Sequence, residues 1–321
     1  MGIDHPGKSR AGIVAAVGVC AGLLILFAFI SWSAVSTKNA TFDEPLHLLG
    51  GFVNRTSGDF RLNPEDPALF GYLAALPLDR SAIHVNYQSP HWSSILEDPN
   101  RRWWFVMTTL YQDLLNNADA VTQKSRFIFL GIGMLLGAMI AWWSWQLAGA
   151  WAAVFATALF AFDPNFLGHG PLVKNDVLLT LLMLTMLIAC WRFGRRGTLL
   201  ALAAMACTCA AAVNVKFSGL LFGPIIFIML LIRALLPAPW TVIGRTLNTR
   251  WQRLVVVPAA CLIVGIVSYA AIWACYEFRF APSNDPGVML NTPQQVFEVK
   301  KHLVMYRYQL GADIPWSEIY Q

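Results

Sequence analysis

The sequence is short of charge. Of its 321 residues only 13% are Asp, Glu, Lys or Arg, against 57% hydrophobic, and the mean hydropathy is +0.53. A soluble domain with that balance would lack the polar surface to cover itself, so the chain reads as a membrane protein. It also lacks a basic face. The net charge of +5 comes from Lys and Arg gathered at the ends of apolar runs, which excludes nucleic acid as the expected partner. Metal-binding cysteine spacing is missing too. Cys20, Cys190, Cys207, Cys209, Cys261 and Cys275 lie in or beside apolar runs, and Cys207 and Cys209 have no further ligands near them. All six read as free thiols acting as small hydrophobes, and no metal site is assigned. The first apolar run, 11–34, is longer than the apolar part of a signal peptide, and no small-residue cleavage pattern closes it. It is a retained transmembrane helix. There is no internal repeat and no low-complexity segment.

What is present is a series of apolar runs near the length of a bilayer span, at 11–34, 126–148, 151–162, 171–192, 198–214, 217–235 and 254–275. The third is short for a span. It is expected to borrow Leu147, Ala148 and the residues up to Phe166, or to be tilted or partly re-entrant. The predicted fold is all-α, a polytopic membrane helical bundle of about seven transmembrane helices. Residues 1–275 form one module, and 276–321 an outer-face tail or the start of a further C-terminal region. With alternating spans, Lys8 and Arg10, then Arg192, Arg195 and Arg196, then Arg233, Arg245, Arg250 and Arg253 all fall on one side, the cytoplasmic one. That places a large first loop, 36–125, outside. Its Trp92, Trp103, Trp104 and Tyr111 beside Arg101 and Arg102 suit amphipathic juxtamembrane helices, or else a compact loop packed on the bundle top with its aromatics as core.

Ionisable residues near the membrane cost a few kcal/mol unless they meet a cavity or a partner. In TFDEPLH, Asp43 and Glu44 stand about nine residues past the first run. Neighbouring carboxylates can divide labour between proton acceptor and binding group, or simply cap and solvate a helix start. The turn DPNFLGHGPLVKND offers His169, Lys174 and Asp176, with helix capping the plain alternative for Asp176. Lys216, in AAAVNVKFSGLL, can snorkel to the headgroups or hold a lipid phosphate. Arg126, in QKSRFIFLG, has the same two readings, with a fork better shaped for phosphate.

Four stretches in order, TFDEPLHLLGG, LNPEDPALFGYLAALPL, FDPNFLGHGPLVKNDVLLT and AAAVNVKFSGLL, resemble the phospholipid-carrier-dependent glycosyltransferases of the GT-C fold. That superfamily holds the protein O-mannosyltransferases and the lipid A aminoarabinose transferases. The resemblance implies transfer of a sugar from a polyprenyl-phosphate donor to an acceptor hydroxyl at the outer face, by one inverting displacement and with no separate cofactor. Asp43 matches the first-loop base, Glu44 assists in acceptor placement, and Asp176 completes the catalytic set. Lys216, Arg126 and His169 are the candidates for the lipid phosphate. The implied setting is a multi-pass protein of the bacterial inner (plasma) membrane with its site on the periplasmic face. Its partners are membrane lipid, the donor, and an acceptor that is a protein, a glycolipid or a cell-wall polymer. The sequence departs from the family at Glu65-Asp66-Pro67-Ala68, where a His or Lys usually precedes a Pro-Pro pair, and at Gly71, which is often basic or aromatic. Family members commonly carry further spans, so a truncated or unusually short chain is expected. The competing expectations are an inactive fragment that binds lipid or a partner, and a transporter or flippase, which would show inverted repeats or charges at mid-bilayer.

Overall fold

The computed structural model describes residues 10–285 and 287–289; Lys8 and the tail from 290 to 321 lie outside the described residues. Helix α1 runs over Arg10–Val35, about 39 Å at 1.5 Å per residue, and stops where the sequence turns polar at Ser36 to Asn39. A cap of short helices follows: α2 (Glu44–Ser57), α3 (Ala68–Ala74), α4 (Pro90–Ser94) and α5 (Arg102–Met107). Gly58 ends α2 with a left-handed φ of 66°, its N–H bonded back to the Asn54 carbonyl. A single π turn, Thr108–Gln112, continues α5.

The chain then enters α6 (Ala118–Ala148), started by the Asn117 side chain accepting from the Ala120 N–H at 2.9 Å. Gly149, at φ 84°, reverses it into α7 (Ala150–Phe162). Asp163 caps the short α8 (Pro164–His169) by accepting from the Asn165 and Phe166 N–H groups. Helices α9 (Asn175–Arg195), α10 (Leu199–Val213) and α11 (Phe222–Leu235) follow, a 3-10 turn at Phe217–Leu221 leading into α11. A hairpin of β1 (Trp240–Val242) and β2 (Arg245–Leu247), with left-handed Ile243 and Gly244 at its tip, precedes α12 (Arg250–Cys275). A reciprocal Thr249–Gln252 capping box opens α12.

Among the described residues, five helical segments are long and apolar enough to cross a membrane: Ala11–Val35, Ala118–Ala148, Asn175–Arg195, Phe217–Leu235 and Arg250–Cys275. The chain is therefore a helical protein suited to a multi-pass membrane setting. The expected extension of the third run does not occur. Leu147 and Ala148 belong to α6, Gly149 separates them from α7, and Asp163-Pro164 closes its other end. Helix α7 is left with 13 residues and α10 with 15, about 20 and 23 Å, against a hydrocarbon core of about 30 Å. All six cysteines are unpaired.

Two apolar clusters hold the bundle. Phe27, Leu136, Phe160 and Leu181 join α1, α6, α7 and α9, and Met186, Phe193, Met205, Phe222, Leu230 and Val257 join α9 to α12. The cap has a core of its own, with Leu48, Leu49, Phe52, Leu62, Trp92, Phe105 and Leu110 buried together. Each such side chain contributes about 1.5–3 kcal/mol by leaving water. Trp92 is thus core, with Arg61 stacked 4.5 Å over its ring, while Trp104 and Tyr111 stay on the surface, so the aromatics of this loop divide between the two expected roles. Phe70, Ala74, Phe129, Val173, Leu178 and Val215 weld cap to bundle. The chain beyond α12 returns to the cap: the Tyr72 hydroxyl donates to the Cys275 carbonyl at 3.0 Å, and the Phe60 N–H to that of Pro282 at 2.7 Å.

Where α2 crosses α3, Gly51 lies against Gly71 so closely that a Cβ on Gly51 would run into the Gly71 carbonyl. Gly51→Ala is expected to destabilise the folded protein by about 1–3 kcal/mol, as overpacking does. Gly131→Ala, where a Cβ meets nothing within 4 Å, is expected to leave it unchanged or slightly more stable. Thermal unfolding of the two purified variants, read against the parent, checks the difference.

Candidate functional site

The four stretches singled out in the sequence meet on one face, where the cap sits on the ends of α6 and α9. The α2 stretch reaches the α9 turn through the Val173 N–H, which donates to Glu44 Oε1 at 3.0 Å. It reaches the LNPEDP stretch through His47 Nδ1, 2.9 Å from Asp66 Oδ2. Asn175 at the start of α9 donates to Asp66 Oδ1 at 2.8 Å. Lys216 closes the ring through a short contact with Asp176, and the Phe70 N–H donates to the Asn214 carbonyl at 3.3 Å. No family model, curated protein or solved structure matches the chain.

The acidic and basic groups of this face fall into a buried set and an exposed set. Glu44 is fully buried, and Arg126 is 1% exposed. The guanidinium grips the carboxylate with two bonds, Nε to Oε1 at 2.9 Å and Nη2 to Oε2 at 2.7 Å. Its other N–H groups donate to the carbonyls of Val35, Lys38 and Asn39 at 2.9–3.0 Å. Glu44 accepts further bonds from the Thr41 N–H and hydroxyl. Burial by itself pushes the Glu44 carboxyl up, but the bond from Arg126, the N–H groups of Val173 and Thr41, and the Arg126 charge together hold it below the usual carboxylate range.

This arrangement corrects two expectations. All five Arg126 donors are engaged inside the protein, so Arg126 has none to offer a lipid phosphate. Glu44, with both oxygens occupied and no exposed surface, positions the chain and does not meet an acceptor. No local signal in the sequence marks this pair, because the two partners stand 82 positions apart.

Asp66 is the centre of the second buried group. It lies between His47, Asn63 (3.0 Å) and Asn175, and its side chain is 16% exposed. Burial pushes its pKa up, but the His47 bond and charge, the Asn63 amide and the Lys216 charge outweigh that and hold it below the usual carboxylate range. His47 rests edge-on to Phe70, ring centroids 5.0 Å apart. The sequence reading assigned no role to His47, Asn63, Asp66, Lys174 or Asn175, although all stand inside the quoted stretches.

The exposed set consists of two pairs. Asp43 Oδ2 is 3.4 Å from Lys174 Nζ, the carboxylate 46% exposed. Asp176 pairs with Lys216, at 59% and 36% exposure. Exposed pairs of this kind contribute only about 0–1 kcal/mol, so fold stability does not explain their placement. Neither acid acts as a helix cap: the start of α2 has no side-chain capping bond at Asp43, and that of α9 has none at all. Phe42, 75% exposed and stacked 4.2 Å from Trp103, lies next to Asp43. His169 is exposed at the end of α8 and joins none of these contacts. Among the described residues, no three His, Cys, Asp or Glu side chains are grouped to hold a metal ion.

Breaking one side of the buried pair leaves an uncompensated charge or unpaired donors. Arg126→Met is therefore expected to cost about 3–5 kcal/mol of stability, and Glu44→Gln a comparable amount. Because the folded Glu44 carboxyl titrates below its unfolded value of about 4.3, its contribution is complete above that pH and disappears as pH falls through the lower folded value. Unfolding measured from pH 7 down to pH 3 should show the parent losing stability at the acidic end, and Glu44→Gln losing less over the same range.

Proposed function

We propose that the chain transfers a sugar from a polyprenyl-phosphate-linked donor to an acceptor hydroxyl at the outer face of the membrane. One observation carries the reading. Partly exposed carboxylates and ammonium groups from distant parts of the chain, Asp43, Lys174, Asp176 and Lys216, share one face with a buried polar frame beneath them. A chain whose charges served only to stop its helices at the headgroups would have no need of that frame.

In this reading Asp43 takes the acceptor proton as the hydroxyl oxygen attacks the anomeric carbon. The bond from that carbon to the phosphate oxygen breaks on the opposite side, inverting the configuration. Its electron pair leaves with the lipid phosphate, which Lys216 neutralises and Lys174 assists. Both ammonium groups are held by exposed carboxylates at present, so an incoming phosphate exchanges one anion for another at little cost. Asp176 keeps Lys216 placed between turnovers. The arginine-rich ends of α9, α11 and α12 lie at the other end of the bundle, and the positive-inside rule puts them in the cytosol and the candidate site on the periplasmic side of a bacterial inner membrane. The short helices α7 and α10 complete a seven-helix bundle by tilting or by local thinning of the bilayer.

Membranes carrying the protein, supplied with radiolabelled polyprenyl-phosphate sugar, are expected to pass label to an acceptor. Asp43→Asn is expected to lower the rate by about 100-fold or more, with the amount of protein in the membrane unchanged. Transfer at the parental rate in that variant would remove Asp43 from the role of base.

A further inference from the structure

At the end of the bundle away from the candidate site, α1 and α6 part to leave an apolar slot of about 410 Å³. Ile13, Val17, Ala21 and Leu24 form one wall, Ala138 and Trp142 the other, and Ala153 of α7 lies at the side. The α1 wall runs along twelve residues, about 16 Å from first to last at the helical rise, within the apolar part of the span. Its volume is that of a site for one small molecule or one chain of a larger one.

The mouth of the slot is chemically distinct from its floor. Trp142 belongs to the slot, and the Arg192 guanidinium sits 4.8 Å over its ring. Arg195 sits the same distance over Trp191, and Trp191 in turn meets Trp143 edge-on at 5.0 Å. The other buried or half-buried arginines of this end are spent on the fold. Arg233 donates to the carbonyls of Gly194, Ala238 and Pro239, and Arg253 to those of Ala234 and Asn248. Arg192 and Arg195 are exposed and steadied by indole faces, and among the described residues no hydrogen bond occupies their N–H forks. Among the described residues neither makes an ion pair, and the sequence holds no Asp or Glu between Asp176 and Glu277, a stretch that carries seven arginines.

From these observations we infer that the slot binds one anionic phospholipid, an acyl chain lying between α1 and α6 and the headgroup phosphate on Arg192. An apolar cleft opening beside unneutralised guanidinium forks suits this occupant and no polar one. A zwitterionic lipid fills the slot equally well but brings a cation of its own to the mouth. The inference is independent of sugar transfer, since it concerns the opposite end of the bundle.

Native mass spectrometry of the purified full chain, titrated with phosphatidylglycerol or phosphatidylcholine in mild detergent, tests it. The parent is expected to keep one phosphatidylglycerol more tightly than phosphatidylcholine. Arg192→Gln should weaken phosphatidylglycerol about fivefold, the loss of roughly one interfacial cation, while phosphatidylcholine retention stays as it was and reports an intact slot. Arg192→Lys should restore most of the preference. Ala21→Phe fills the slot from an exposed position on α1 and should lower retention of both lipids. Equal retention of the two lipids by the parent, or undiminished phosphatidylglycerol binding in Arg192→Gln, would overturn the inference; if Ala21→Phe does not fold, the surface variant Arg192→Gln decides alone.

Discussion

One buried ion pair organises the half of the molecule that carries the candidate site. Arg126, on the second turn-pair of α6, reaches the carbonyls that close α1 and the carboxylate that opens α2, while the backbone before α9 closes on the same carboxylate. Two charges buried from solvent are tolerated only when every donor and lone pair finds a partner, and here they do. The pair therefore does not add stability in proportion to its Coulomb energy. What it supplies is a single permitted arrangement of three chain segments, because any shift would strand a charge.

That constraint fixes the surface above it. Asp43 is the residue before Glu44, so holding Glu44 sets where the neighbouring carboxylate emerges, and Val173, bonded to the same group, sets where Lys174 emerges beside it. The His47–Asp66–Asn175 chain repeats the device a few ångströms further along, bringing Lys216 and Asp176 into the same row. Close packing of Gly51 on Gly71 lets α3 lie low enough for Asp66 to reach His47. Buried partners thus act through geometry, and the carboxylates and ammonium groups above them pair with one another at the surface.

The two ends of the bundle differ in kind. The site end carries acids and bases in matched pairs on a cap with its own apolar core. Among the described residues the far end carries arginines without acids, some satisfied by carbonyls and others laid on tryptophan rings. Such a separation orients a protein across a bilayer and gives each surface a different lipid chemistry to meet.

Much of this was open to reading from the sequence. Long apolar runs dictate membrane-length helices whatever their neighbours, because a backbone in hydrocarbon has no other way to satisfy its N–H and C=O groups. Arginines at one set of helix ends and polar motifs at the other were visible as composition. Asp43, Asp176 and Lys216 stood out because an ionisable group beside an apolar run is costly. Partnership was not visible: Glu44 and Arg126 read as an acceptor-placing group and a phosphate ligand, whereas the intervening chain folds back and encloses the two together. The reach of α7, too, hung on Gly149 and Asp163-Pro164 acting as breaks that a count of apolar residues passes over. Local chemistry writes which segments are helical and which groups are charged. Only tertiary contact decides which of those charges are consumed inside the protein and which are left facing out, since desolvation and pairing depend on neighbours that are distant along the chain.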